Sequence, residues 1–144
     1  MKNNYIENVR AFNRFYTVFI GILNKSFLKS KYTLVETRVM HAAYTKDGVL
    51  PSEIISMLNI DKGYLSRILS SLEKRRVIYK TKSVSDGRSV NIFITDFGKR
   101  EFEKLNQASN RQVEGLLSKL TESDCKRLVK NMSEIREILE KNKG

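Results

Sequence analysis

Residues 50–80 read LPSEIISMLNIDKGYLSRILSSLEKRRVIYK, and two short amphipathic patterns lie within this stretch, only a few residues apart. Pro51 suits the first turn of a helix, where its missing N–H costs nothing, and Ile54, Ile55 and Leu58 follow as a short apolar face. The spacing predicts a helix of about two turns ending near Asn59. Asp61 is placed to cap the next helix, in which Leu65, Ile68, Leu69 and Leu72 share one face. A rotation of about 100° per residue then puts Gly63, Arg67, Ser70 and Lys74 on the opposite face, with Tyr64, Ser66 and Ser71 on its flanks. That outer face is small and cationic. It suits close approach to a duplex, with Arg and Lys reaching base acceptors or phosphates and Ser adding short hydrogen bonds. A solvated face of a basic protein would have the same composition.

The flanking segments set this pair in a larger pattern. Upstream, Thr33 and Glu36 form a capping-box arrangement that opens a helix over about residues 33–46, closed by Asp47-Gly48. Residues 5–28 place Tyr5, Val9, Phe12, Tyr16, Phe19, Ile20, Leu23 and Phe27 at helical spacing, more apolar surface than one small neighbour would cover. Downstream of Arg76 the period becomes alternating. Ile78, Lys80 and Lys82 face one way against Tyr79, Thr81 and Ser83, and Val90, Ile92 and Ile94 alternate on the return. Asp86-Gly87 between them is a hairpin turn signal. From Thr95 the pattern is helical again, and Thr121 with Asp124 opens a last helix expected to bury Leu128, Met132, Ile135 and Leu139.

Helix, helix, short turn, helix and a two-stranded hairpin is the order of a winged helix-turn-helix, in which the last of the three helices enters the DNA major groove. The fold class expected is therefore mainly α with a small β-hairpin wing. Charge supports that order, because residues 61–90 hold eight basic and three acidic side chains, a net of +5. The whole chain, with 27 Lys and Arg against 16 Asp and Glu, carries +11, a field that draws in polyanions and, more weakly, acidic membranes or acidic partners. At the wing, a cationic tip gains from the negative potential of a narrow minor groove. Arg88 is the candidate finger and Asp86 its brace through a carboxylate–guanidinium hydrogen bond, although an Asp-Gly turn with a chance arginine would read the same.

Other chemistries find little support. One cysteine, Cys125, cannot make an internal disulfide, and the one histidine, His41, leaves no cluster of metal-ligand spacing. No metal, cofactor or catalytic residue is expected. His41 reads as a partly buried helix residue beside Met40, and Cys125 as an inert thiol in the opening turn of the last helix. The amino-terminal residues mix charges with apolar side chains, and no uncharged stretch reaches the roughly 18 residues of a membrane span. A soluble, cytoplasmic protein with no membrane partner is expected.

SDGRSVNIFITDFG, residues 85–98, resembles the wing signature of the MarR family of bacterial transcriptional regulators, in Asp86, Arg88, Ile94, Thr95 and Gly98. Residues 50–80 resemble the same family's helix-turn-helix, and the flanking helices match its usual order, so the resemblance covers essentially the whole chain. DKGYLSRIL and FEKLNQASNRQVEGLLSKL are especially similar to the regulator half of fusions between MarR proteins and GNAT-type acetyltransferases, though no acetyltransferase half is present in these residues.

The resemblance implies a single MarR-like domain. Residues of about 33–95 would form the DNA-binding core, and those of about 1–30 and 96–144 a helical dimerisation region. It implies a homodimer that binds double-stranded DNA at a pseudo-palindromic operator, acts as a repressor and has no enzymatic activity. Lys62, Tyr64, Ser66, Arg67 and Ser70 are carried over as DNA contacts, with Lys74 and Lys82 beside them, Arg88 as the minor-groove residue and Asp86 as its orienting partner. A small aromatic or anionic effector is implied as well. Tyr16, Tyr32, Arg38 and Tyr44 could line its site, and the same aromatics fit a packed core.

The chain departs from the family pattern at Arg76, where Gly is usual and would relieve a left-handed helix end. Two other readings of the basic surface stay open. One is a structural DNA-binding protein of low specificity, and the other a protein-interaction module for an acidic partner.

Overall fold

Four leucine and isoleucine side chains, Leu65, Ile68, Leu69 and Leu72, point inward from one helix and are at most 7% exposed, so that helix is the spine of the core. The computed structural model describes residues 2–23, 30–82 and 89–142. In chain order it contains α1 (Lys2–Leu23), α2 (Leu34–Thr45), α3 (Pro51–Leu58), α4 (Lys62–Lys74), β1 (Ile78–Lys82), β2 (Val90–Ile94), α5 (Asp96–Leu117) and α6 (Glu122–Glu140). The chain divides into two compact units, residues 1–109 and 110–144. The mainly helical fold with one small hairpin is as expected, and α2 to β2 follow in winged-helix order.

Each helix begins where its cap requires. Thr33 Oγ1 accepts from the Glu36 N–H at 3.1 Å while Glu36 Oε1 accepts from the Thr33 N–H at 2.8 Å, completing the capping box of α2. Asp61 Oδ1 accepts from the Tyr64 N–H at 3.0 Å and starts α4. Glu53, one turn into α3, accepts a 2.6 Å hydrogen bond from the Lys46 ammonium, which holds its carboxyl below the usual carboxylate range. The α3–α4 turn passes through Asn59 at φ 52°, a left-handed conformation that Asn tolerates better than most side chains.

In the first unit, Val39, Met40 and Ala43 of α2, Ile54 of α3, Leu65 and Leu72 of α4, and Val77, Ile78 and Ile92 around the hairpin form one buried cluster. Truncating a residue such as Leu72 to Ala would remove about 2–5 kcal/mol. β1 pairs antiparallel with β2 in the register Ile78↔Ile94, Lys80↔Ile92 and Lys82↔Val90. Val49 adds a single bridge on the other side of β2, accepting the Ile92 N–H at 2.9 Å. On the opposite face of the hairpin Tyr79 and Phe93 stack at 5.2 Å between ring centroids.

α4 ends in a Schellman motif. The Val77 N–H reaches the Leu72 carbonyl at 2.9 Å and the Arg76 N–H reaches that of Glu73 at 3.0 Å. Arg76 therefore sits at φ 62°, so the left-handed position is retained although an arginine fills it. Thr95 secures the turn. Its hydroxyl donates to the Arg76 carbonyl at 2.6 Å and accepts from the Gly98 N–H at 2.9 Å, capping α5. Gly98 lies so close beneath this turn that a Cβ there would come within 2.2 Å of the Val77 carbonyl oxygen.

Two expectations need correction. No residue of α6 is buried: Leu128 is half-buried, while Met132, Ile135 and Leu139 are 38%, 41% and 64% exposed. The second unit holds only α6 and the end of α5, and two helices cannot cover an apolar stripe that runs along both. His41 is exposed rather than partly buried, because it faces outward from α2, with its ring 5.7 Å from that of Phe102. In α1, Tyr5, Val9, Phe12 and Phe15 are each at least 46% exposed. The end of the expected first helix, residues 24–28 with Phe27 among them, lies outside the described residues.

Gly98→Ala should lower folding stability by about 1–3 kcal/mol, the usual cost of overpacking, as measured by urea denaturation. Arg76→Gly should raise stability by about 1 kcal/mol by relieving the left-handed side chain, seen as a higher thermal midpoint in calorimetry.

Candidate nucleic-acid interface

With its leucine face locked in the core, α4 presents Lys62, Gly63, Tyr64, Ser66, Arg67, Ser70 and Lys74 to solvent, all exposed. The small residues leave a shallow hollow of about 360 Å³ lined by Ser66, Arg67, Ser70, Ser71 and Lys74. A second hollow of about 500 Å³ opens between α3, α4 and the hairpin, where Lys62, Ser66 and Lys80 meet Ser52 and Ser89. Ser66 lies on both hollows, so the two form one surface along the helix. Lys82 is exposed further along β1. Asp86 and Arg88 lie outside the described residues.

Arg67 does not hang free. Its guanidinium carbon stands 5.8 Å from the centroid of the Tyr64 ring, one helical turn back, a cation–π contact that restricts a long side chain while leaving its donors outward. Tyr64 itself is 38% exposed. Two acidic groups near this surface are engaged locally: Asp61 caps α4, and Glu73 pairs with Lys80 at 3.9 Å. The outer face of α4 is therefore positive, and its donors suit phosphate and base acceptors.

Two residues were missed as site residues. Lys80 joins Lys62 and Ser66 because β1 runs beside α4, and Lys80 is legible only as one of the basic residues of this region. Arg75, counted with the same basic set, turns inward. It pairs with Glu36 of α2 and lies 5.1 Å from the centroid of Tyr32.

The residues considered for an effector site separate. Arg38 lines a hollow of about 180 Å³ with Leu34, Thr37, His41, Phe102, Leu105, Asn106 and Ser109. Tyr32 is 6% exposed and donates to Glu101 Oε1 at 3.3 Å; burial of the phenol and the neighbouring carboxylate push its pKa up. Tyr44 donates to Glu103 at 3.1 Å, which raises its pKa, and its ring packs on Phe102 at 4.7 Å. Tyr16 stacks with Phe12 on α1. Cys125 is half-buried, with its sulfur 3.7 Å from the Leu117 carbonyl. Among the described residues there is no group of His, Cys, Asp or Glu able to hold a metal, and no helix is long and apolar enough to cross a membrane.

Residues 32–90 match the model of the MarR family. The HTH-type transcriptional regulator MgrA of Staphylococcus aureus is 27% identical over 119 residues, covering 83% of this chain and 76% of that protein. Among solved structures, Streptococcus pneumoniae FabT in complex with DNA superposes with a TM-score of 0.81 at 19% identity, covering 94% of this chain and 99% of that one. The PcaV transcriptional regulator of Streptomyces coelicolor, in complex with its natural ligand, gives 0.71 at 17% identity, covering 88% and 89%.

Arg67→Ala should weaken binding to a preferred duplex by about 1–3 kcal/mol and relax the preference at one base position, whereas Lys74→Ala should weaken binding to all duplexes alike and flatten the salt slope by about one. Fluorescence anisotropy across a salt series separates the two.

Proposed function

We propose that this chain, whose residues 32–90 match the model of the MarR family, is a regulator of that family: a dimeric, sequence-specific DNA-binding transcriptional regulator that represses from a pseudo-palindromic operator. The observation that carries this reading is the outer face of α4. A rigid helix locked by four buried side chains presents a positive, small-residue surface with two nearby acids already engaged. The chain acts as a regulator and not as an enzyme, in keeping with its relatives. Lys62, Tyr64, Ser66, Arg67, Ser70, Lys74 and Lys82 meet the duplex around the major groove, and Arg88, braced by Asp86, enters the minor groove.

Dimerisation draws support from the exposed apolar side chains of α1, α5 and α6, among them Phe12, Phe15, Val113 and Ile138. In each unit, exposed apolar side chains of this kind mark an interaction surface. A homodimer would cover these side chains and set two α4 helices one helical turn of DNA apart. A small aromatic or anionic effector that seats beside Arg38 would release the duplex by favouring another spacing of the two helices.

Selection of bound sequences from a random duplex pool should return an inverted repeat with a fixed half-site spacing, and light scattering should give the mass of a dimer. Arg88→Ala should cost about 1–3 kcal/mol on the selected duplex. Equal affinity for selected and random duplexes at matched salt would assign the chain instead to low-specificity DNA binding. No binding at moderate salt would point to an acidic protein partner.

A further inference from the structure

Arg75, the residue that closes α4, carries a charge that the DNA-facing surface does not use. Its Nη2 donates to Ser71 Oγ at 3.0 Å and pairs with Glu36 Oε2, while Nη1 donates to the Lys31 carbonyl at 3.2 Å. The guanidinium also lies over the Tyr32 ring, whose hydroxyl reaches Glu101 of α5. One planar fork thus ties the end of α4 to the start of α2 and, through Tyr32, to α5. The Glu36 side chain is only 12% exposed, so its carboxylate would be left charged, desolvated and unpaired without the arginine.

We propose that Arg75 is a positioning residue for DNA reading, fixing the angle of α4 through Glu36 and Tyr32 without touching the duplex. The proposal rests on α4 being the reading helix. α4 is a rod about 20 Å long, started by Asp61 at one end and held by Arg75 at the other. A shift of about 1 Å at the reading face is enough to take a base-edge hydrogen bond out of its working range of roughly 2.7–3.2 Å. Phosphate attraction, being long-ranged and tolerant of direction, survives such a shift. Loss of the anchor should therefore cost specific binding and spare non-specific binding.

Glu36→Gln is the decisive variant. Gln can still receive the Thr33 N–H through Oε1 and keep the α2 capping box, while its NH2, a donor, takes the place of the oxygen that accepts from Arg75, so the charge and the acceptor facing Arg75 are both removed. Deleting an acid strengthens attraction to any polyanion, which is opposite in sign to the effect of losing the anchor. Affinities are measured at matched salt on the selected duplex and a scrambled one, well below the thermal midpoint of each variant. Ile78→Val serves as a control that loses stability without touching the anchor.

The specific-to-non-specific ratio should fall about tenfold in Glu36→Gln and in Arg75→Lys, whose ammonium can neither fork nor lie flat on the ring, and should hold in Ile78→Val. Tyr32→Phe, which keeps the ring but drops the link to Glu101, should show a smaller fall. An unchanged ratio in Glu36→Gln, or full recovery of the ratio by Arg75→Lys, overturns the proposal. If the unaltered protein shows no preference for the selected duplex, the reading of α4 itself fails, and that result is distinct from either of the others.

Discussion

The hydroxyl of Thr95 stands where three segments of chain must meet. It has one proton, given to the Arg76 carbonyl at 2.6 Å with the Val77 carbonyl nearby at 3.1 Å, and its lone pairs receive the Gly98 N–H. The Thr95 N–H closes the loop by donating to Val77 at 2.9 Å. The exit from α4, the root of the hairpin and the first turn of α5 are thereby pinned to one another. Gly98 is required because the first turn of α5 presses against backbone, which cannot swing aside as a side chain can. Without this junction the four inward residues of α4 would still bury, but the hairpin would lose the hydrogen bonds that tie its root to the exit of α4.

The surface that faces DNA in our reading owes its sign to where the acids go as much as to how many bases are present. Asp61 is spent on a helix cap, Glu36 on a cap and Arg75, Glu53 on Lys46, and Glu73 on Lys80. Each of these carboxylates has a local cation or N–H group. Lys62, Arg67 and Lys74 have no ion-pair partner among the described residues, so an incoming polyanion need not displace a protein carboxylate from them.

Much of this was legible in the residues because it is local. Caps at Thr33, Asp61 and Thr121 act over three positions, and the periodicity of α4 assigns its buried and outer faces directly. The inward turn of Arg75 was not legible, since its partner Glu36 lies 39 positions away and a pair of adjacent arginines reads as two equal surface charges. Periodicity also misjudged α6. It reveals which side of a helix is apolar, but not whether this molecule or another covers it. The wing tip, with Asp86 and Arg88, lies outside the described residues and remains known from sequence alone.

The single bridge from Val49 to Ile92 gives the hairpin a fulcrum. β2 is held from both sides at Ile92, by β1 and by the turn that follows α2, so the hairpin cannot slide by one residue without breaking that bond and turning Ile92 and Ile94 out to water. The segment that leaves α2 is thus tied to β2 directly at Val49, while β1 follows straight on from α4, so the hairpin is joined to the core at two separate places.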